Sequence, residues 1–203
     1  MKVITLRREF GSGGRELGKR IAEAMGIAYY DKEILTAISK SSGLAEEYVK
    51  SIVEHSPINY YPITFGHTFS FINSYNENYI KVLNIQDEVI KELASKSDCV
   101  IVGRCAEVIL NQMPTFNLYV YADIESKLQR CRLKAPADEN LTDNEIIKNI
   151  KDIEKSRKRS YTSLVGKDVG MENYHLCVNT SGKEIKSLVT PVVNYINAWY
   201  SEK

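Results

Sequence analysis

The sequence carries almost no net charge: 27 Lys and Arg stand against 26 Asp and Glu, a formal balance of +1 over 203 residues. A general nucleic-acid binder needs a broad basic excess, so the balance argues against that class and any electrostatic role falls to local clusters. No run of about 18 apolar residues is present, which removes a membrane-spanning helix. No leader pattern precedes the first strand, so the chain is expected to be soluble and cytoplasmic, with no membrane partner. The four cysteines, Cys99, Cys105, Cys131 and Cys177, form no C-x-x-C pair, and no histidine stands at metal-ligand spacing. They read as reduced, mostly buried thiols rather than disulfide or zinc ligands. Repeats and low-complexity tracts are also lacking. A chain of this length reads as a single domain over 1–203 that buries roughly 70% of its unfolded surface.

What is present is organised around Val3 to Gly26. Val3, Ile4, Thr5 and Leu6 form a short buried-strand pattern. The glycine-rich stretch Gly11-Ser12-Gly13-Gly14 follows, and Leu17, Ile21 and Ala24-Met25 then recur at helical spacing up to Gly26, a helix C-terminal cap. Glycines let successive N–H groups converge on an anion, and the helix N-terminus adds a partial positive charge worth about 0.3–1 kcal/mol. Arg15 places a cation just past the last glycine. The stretch therefore reads as a phosphate-binding loop; the alternative is a strand-to-helix turn whose glycines serve tight packing. Against the pattern G-x-x-x-x-G-K-[ST], the first glycine falls on Glu9, the lysine on Arg15 and the hydroxyl residue on Glu16.

Further along, Ile27 to Asp31 resembles a second strand with Asp31 at its C-terminal end, where ligands of open parallel sheets sit; an N-cap for the next helix is the competing role. Helices are expected over Lys32–Lys40 and Leu44–Glu54. Residues 55–76 hold no Asp, Glu, Lys or Arg but six aromatics. That segment suits internal packing or a subunit contact, and with its flanks (42–78) forms an insert that could face an acceptor or make a homo-oligomer. A helix over Tyr79–Lys96 leads to the apolar strand Cys99–Gly103, and Arg104 beyond it suits a bidentate phosphate contact. Strand Phe116–Tyr121 precedes a helix capped by Asp123 that carries Lys127, Arg130, Arg132 and Lys134. A second helix, Asn144–Arg159, ends in a basic run. These clusters read either as a solvated face or as a lid, over 130–165, that folds across polyphosphate. A last strand, Tyr174–Thr180, precedes a terminal helix, Lys183–Tyr200, in which Pro191 predicts a kink or a late start.

Strand–helix alternation with buried strands implies an α/β fold with a parallel sheet. The stretches REFGSGGRELGKRIA, AYYDKEIL, VIVGR, LYVYADIESKLQRCR and NYHLCVNTSG resemble the cytidylate kinase-like group of nucleoside monophosphate kinases over nearly the whole chain. The resemblance implies a P-loop NTP hydrolase-like three-layer α/β/α fold with a helical lid. It also implies transfer of the ATP γ-phosphoryl to CMP, dCMP or a related small molecule, with Mg²⁺ bridging the phosphates. On that reading Gly11, Ser12, Gly13, Gly14 and Arg15 hold the donor phosphates. Arg104 grips the acceptor phosphate and Asp31 faces the acceptor. Arg130, Arg132, Arg157 and Arg159 neutralise charge, and Thr180 and Ser181 lie beside the adenine. Glu16 stands where a Mg²⁺-binding hydroxyl is expected, with Ser12 as the alternative, and Val102 replaces an expected aspartate. Those departures leave two other readings open: a nucleotide-binding protein with little turnover, and an interaction protein that uses the 55–76 segment.

Overall fold

In the computed structural model, residues 1–54, 69–136, 140–166 and 170–202 are described, with the side chains of 54, 69–76 and 163 excepted. Five strands form one sheet: β1 (Val3–Arg8), β2 (Ala28–Tyr30), β3 (Cys99–Val102), β4 (Thr115–Tyr121) and β5 (Leu176–Asn179). Their order is β2-β3-β1-β4-β5 and every pairing is parallel. β1 is central, with Leu6 opposite Val102 on one side and Leu118 on the other.

Alternation along the buried strands feeds two cores. Ile4, Leu6, Val100, Val102, Phe116 and Leu118 pack with α1 (Gly14–Met25) and α8 (Ile185–Ser201) through Leu17, Ile21, Val192 and Ile196. On the opposite face, Val3, Cys99 and Ile101 pack with α2 (Glu33–Ser42), α3 (Glu46–Glu54), α4 (Phe69–Lys96) and α5 (Ala106–Ile109). The result is the expected three-layer α/β/α arrangement.

Boundaries differ from expectation where tertiary pairing overrides local pattern. β1 runs past Leu6 to Arg8, because its ladder with β4 continues to Val120. The helix expected from Tyr79 begins at Phe69; neither proline nor glycine lies between Phe69 and Tyr79 to stop it. α8 runs from Ile185 through Pro191 to Ser201, so the expected late start does not occur. Residues 55–68, the centre of the aromatic insert, lie outside the described residues, as do the side chains of Phe69, Phe71 and Tyr75.

The basic segments form α6 (Ile124–Lys134) and α7 (Asp143–Val165), the second longer at its C-terminal end than its sequence pattern suggests. Thr142 and Glu145 start α7 with a reciprocal capping box. Thr142→Ala is expected to cost about 1 kcal/mol, seen as a fall of roughly 2–4 °C in thermal unfolding. The surface pair Arg132–Asp143, 2.5 Å apart, ties the two helices but contributes little in water.

Candidate functional site

The parallel sheet opens its C-terminal edge where β1, β2 and β3 end, and a cleft of about 770 Å³ lies there. The glycine loop forms its floor. Gly13 has φ 78°, and a Cβ on it would lie 2.4 Å from Ile185 Cδ1, so only glycine fits that turn. The N-cap of α1 is Gly13, which has no side chain to cap the helix, so its dipole points toward the loop. Inside the loop, Ser12 is fully buried. Its hydroxyl donates to the Glu9 carbonyl (2.8 Å) and accepts from Gly14 N–H (3.3 Å).

The loop is held from behind by Thr180 and Arg130. Thr180 donates its hydroxyl to the Ser12 carbonyl at 2.7 Å. Arg130 donates to the Thr180 and Lys183 carbonyls (2.6 and 3.1 Å), and longer contacts reach Thr180 Oγ1 and the Gly11 carbonyl. Arg130 thus clamps the loop to the β5–α8 turn and also lines the cleft. Glu9, where the usual pattern has glycine, accepts from Lys127 Nζ at 2.8 Å, Tyr119 Oη at 3.3 Å and Ala122 N–H at 3.2 Å. Helix α7 lines the front of the cleft. Glu154 accepts from Phe10 N–H, and the Arg157 guanidinium lies 5.5 Å from the Phe10 ring centre. Burial holds the Glu154 carboxyl above the usual carboxylate range.

The electrostatic centre is a buried carboxylate among arginines. Asp31 is 3% exposed and contacts Arg15 Nε at 2.5 Å and Arg8 Nη2 at 3.7 Å. It does not cap α2, whose N-cap is Lys32. Its carboxylate is instead a partner of the two arginines. Arg8 is the residue sequence reading missed. Alternation sends Arg7 away, to the Tyr174 hydroxyl at 3.0 Å and the Tyr161 ring at 3.7 Å, and turns Arg8 into the cleft. Burial first, and then Arg157, Arg104 and Arg15, push the Arg8 guanidinium down to about 10, against the opposing pull of Asp31. Gly103 makes room for it: φ is 74°, and a Cβ would meet Arg8 Nη1 at 1.9 Å. Arg104 and Cys105 continue in the left-handed region at φ 60° and 54°. Such non-glycine conformations cost of order 1–3 kcal/mol each and persist where surroundings hold them, often at functional sites.

Arg157, Arg104 and Arg15 all repel the Arg8 guanidinium, so an anion bound among them would be favoured. Arg8→Met is expected to raise the melting temperature of the ligand-free protein by a few degrees while weakening nucleotide or phosphate binding at least tenfold. Differential scanning fluorimetry with and without ATP checks both signs.

Gly11, Gly13, Gly14, Arg15, Glu16, Arg104, Arg130 and Arg157 are brought together along this cleft, and Asp31 touches it through Arg15. Arg132 and Arg159 line neither of the two cavities found there. Thr180 and Ser181 do not line the cleft either. Ser181 instead accepts from Asp123 N–H (2.8 Å) and donates to Asn179 Oδ1 (2.7 Å), closing the turn beside the α6 N-cap.

For Mg²⁺, the described residues hold no group of three or more His, Cys, Asp or Glu that could bind an ion by themselves. Glu16 faces the cleft and pairs with Arg20 through an exposed i,i+4 contact at 3.0 Å, which is weak enough to exchange. One carboxylate plus ligand phosphates is a donor set Mg²⁺ accepts, so the site fits an ion carried in on a nucleotide.

The model of the cytidylate kinase-like family matches residues 3–182. No curated protein matches the chain. Among solved structures, an uncharacterized protein from Eubacterium ventriosum aligns at TM-score 0.67 and 22% identity, covering 97% of this chain and 99% of that one. Shikimate kinase from Bacteroides thetaiotaomicron aligns at TM-score 0.57 and 14% identity (97% and 98% covered). The Acinetobacter baumannii shikimate kinase, solved in complex with shikimate, aligns at 0.54 and 16% (98% and 94% covered). These likenesses show a shared fold. No helix among the described residues is long and apolar enough to cross a membrane.

Proposed function

Because the chain belongs to the cytidylate kinase-like family, we propose that it transfers the γ-phosphoryl group of ATP to CMP, dCMP or a related small-molecule acceptor. Phosphotransfer at the general level follows from the family. The acceptor and the residue roles are this reading's own, and one observation carries it: arginines from β1, α1, the β3–α5 loop and α7 converge on a glycine-loop cleft around one buried carboxylate.

In-line phosphoryl transfer is mostly positioning and charge neutralisation. The N–H groups at the start of α1 and the Arg15 guanidinium hold the donor phosphates. Asp31 fixes the Arg15 fork through its 2.5 Å contact, setting the direction from which that charge acts. Arg104, with Arg8 behind it, binds the acceptor's own phosphate. Arg157, brought by α7, supplies charge from the lid side. Glu16 would hold Mg²⁺, which when bound neutralises charge on the donor phosphates. Closure of α7 over the loop excludes water from the transferring group.

Thermal shifts with ATP–Mg²⁺, ADP, CMP, dCMP, UMP and AMP test the reading. A ligand at about 100 times its Kd adds ~2.7 kcal/mol, or roughly 5–11 °C here. Shifts with ATP and one pyrimidine monophosphate are expected, and their absence with every nucleotide contradicts it. Glu16 in place of the usual Mg²⁺ hydroxyl favours a second reading: nucleotide binding with little turnover, marked by an ATP shift without ADP formation.

A further inference from the structure

Beneath Arg104 lies a second, smaller cavity of about 100 Å³ that shares Arg8, Arg104 and Arg157 with the main cleft. Gln86, from the middle of α4, is on its lining and is 1% exposed. The Gln86 amide is polarised in one sense: Nε2 donates to the Arg104 carbonyl at 3.4 Å, whereas Oε1 is buried with no hydrogen-bond partner among the described residues. A buried carbonyl oxygen without a partner is costly, and native structures generally satisfy such groups with a ligand or water. Four arginines, Arg7, Arg8, Arg104 and Arg157, are also on the lining, and the Glu107 carboxyl there already accepts from the Tyr174 hydroxyl at 3.2 Å. Gln86 Oε1 is thus an acceptor held open beside the arginines that would grip an acceptor phosphate.

We infer that this cavity is a specificity subsite and that Gln86 Oε1 accepts a hydrogen bond from a donor on the phosphate acceptor, an amino group or hydroxyl rather than a carbonyl. The inference rests on the proposed transfer to a pyrimidine monophosphate. For that class it distinguishes CMP, whose ring bears an exocyclic amino donor, from UMP, which presents a carbonyl oxygen at the same place. A carbonyl facing Oε1 leaves two acceptors opposed and both unpaired. The bond from Nε2 to the Arg104 carbonyl gives Gln86 a separate positioning role on the left-handed Gly103-Arg104-Cys105 turn.

The two roles separate in two variants. Gln86→Glu keeps an acceptor oxygen but loses the donor to Arg104, and Gln86→Leu loses both. The readout is kcat/KM for CMP divided by that for UMP, with ATP–Mg²⁺ as donor, alongside the Kd of each monophosphate. For the wild type the ratio is expected at roughly 10–100, the scale of one buried hydrogen bond left unmade. Gln86→Leu should bring it to about 1. Gln86→Glu should preserve it while lowering the rate on both substrates. A purely structural role lowers both rates together and leaves the ratio unchanged in Gln86→Leu. That result means Oε1 meets only water, and it overturns the inference while leaving the kinase reading standing. If the wild-type protein neither binds nor phosphorylates CMP, the proposed function fails and takes this subsite with it.

Discussion

Arg15→Ala lowers kcat/KM for phosphoryl transfer by about 10²–10³-fold, the scale of deleting one preorganised charge-stabilising donor from a site. The expectation comes from geometry. Arg15 opens α1 directly after the glycines, lines the cleft, and is anchored by Asp31 at 2.5 Å. Its charge is therefore in place before any ligand arrives, and none of the effect is recovered by letting a flexible side chain search. Arg15→Lys keeps the charge but loses the fork that Asp31 holds, so it should fall between wild type and alanine. The fold should survive both changes, since Arg8 remains 3.7 Å from Asp31 and the Arg15 side chain is 58% exposed. Unchanged turnover in a folded Arg15→Ala protein, read by ADP release, removes Arg15 from the chemistry.

Phe116→Ala gives the largest expected loss of stability, about 3–5 kcal/mol, or a melting temperature lower by roughly 6–20 °C. Phe116 is fully buried in β4. Its ring meets Trp199 edge-on at 5.4 Å and 78°, Tyr195 at 6.0 Å, and stacks on His175 at 5.6 Å. Truncation opens a cavity where β4, α8 and the turn into β5 meet, and the rigid rings around it cannot easily collapse into it. The consequence reaches the site through the same strand, because Glu9 is anchored by Tyr119 and by Ala122 just beyond β4. Equilibrium unfolding in urea measures the loss. A cost below 1 kcal/mol would show that the aromatic cluster is not what docks α8 on the sheet.

How much of this was legible in the sequence depends on how local the signal is. The β1–loop–α1 unit can be read because strand, glycines and helix are contiguous, and each has its own residue pattern. Arg104 is legible for the same reason, standing just past an apolar strand. Arg8 is not. It sits two residues beyond the evident apolar run, and only the β4 ladder makes it part of a strand. Arg130 and Thr180 show the converse. The resemblance placed both near the ligand, and no local pattern shows that distant partners, the Ser12 and Lys183 carbonyls, also make them a clamp on the loop. Lys127, on the same basic helix as Arg130, is consumed by Glu9. Gln86 carries no local signal, since one glutamine on an amphipathic helix is ordinary until its burial is known. The early start of α4 was hidden by aromatic residues that suit helix and loop alike.

The most direct test of the account is ³¹P NMR of the protein with ATP, Mg²⁺ and CMP. Transfer predicts that CDP and ADP appear together in equal amounts, with no inorganic phosphate. ATP that persists unchanged, or decays to ADP and phosphate without CDP, contradicts the assignment of CMP as acceptor at the arginine-lined cleft.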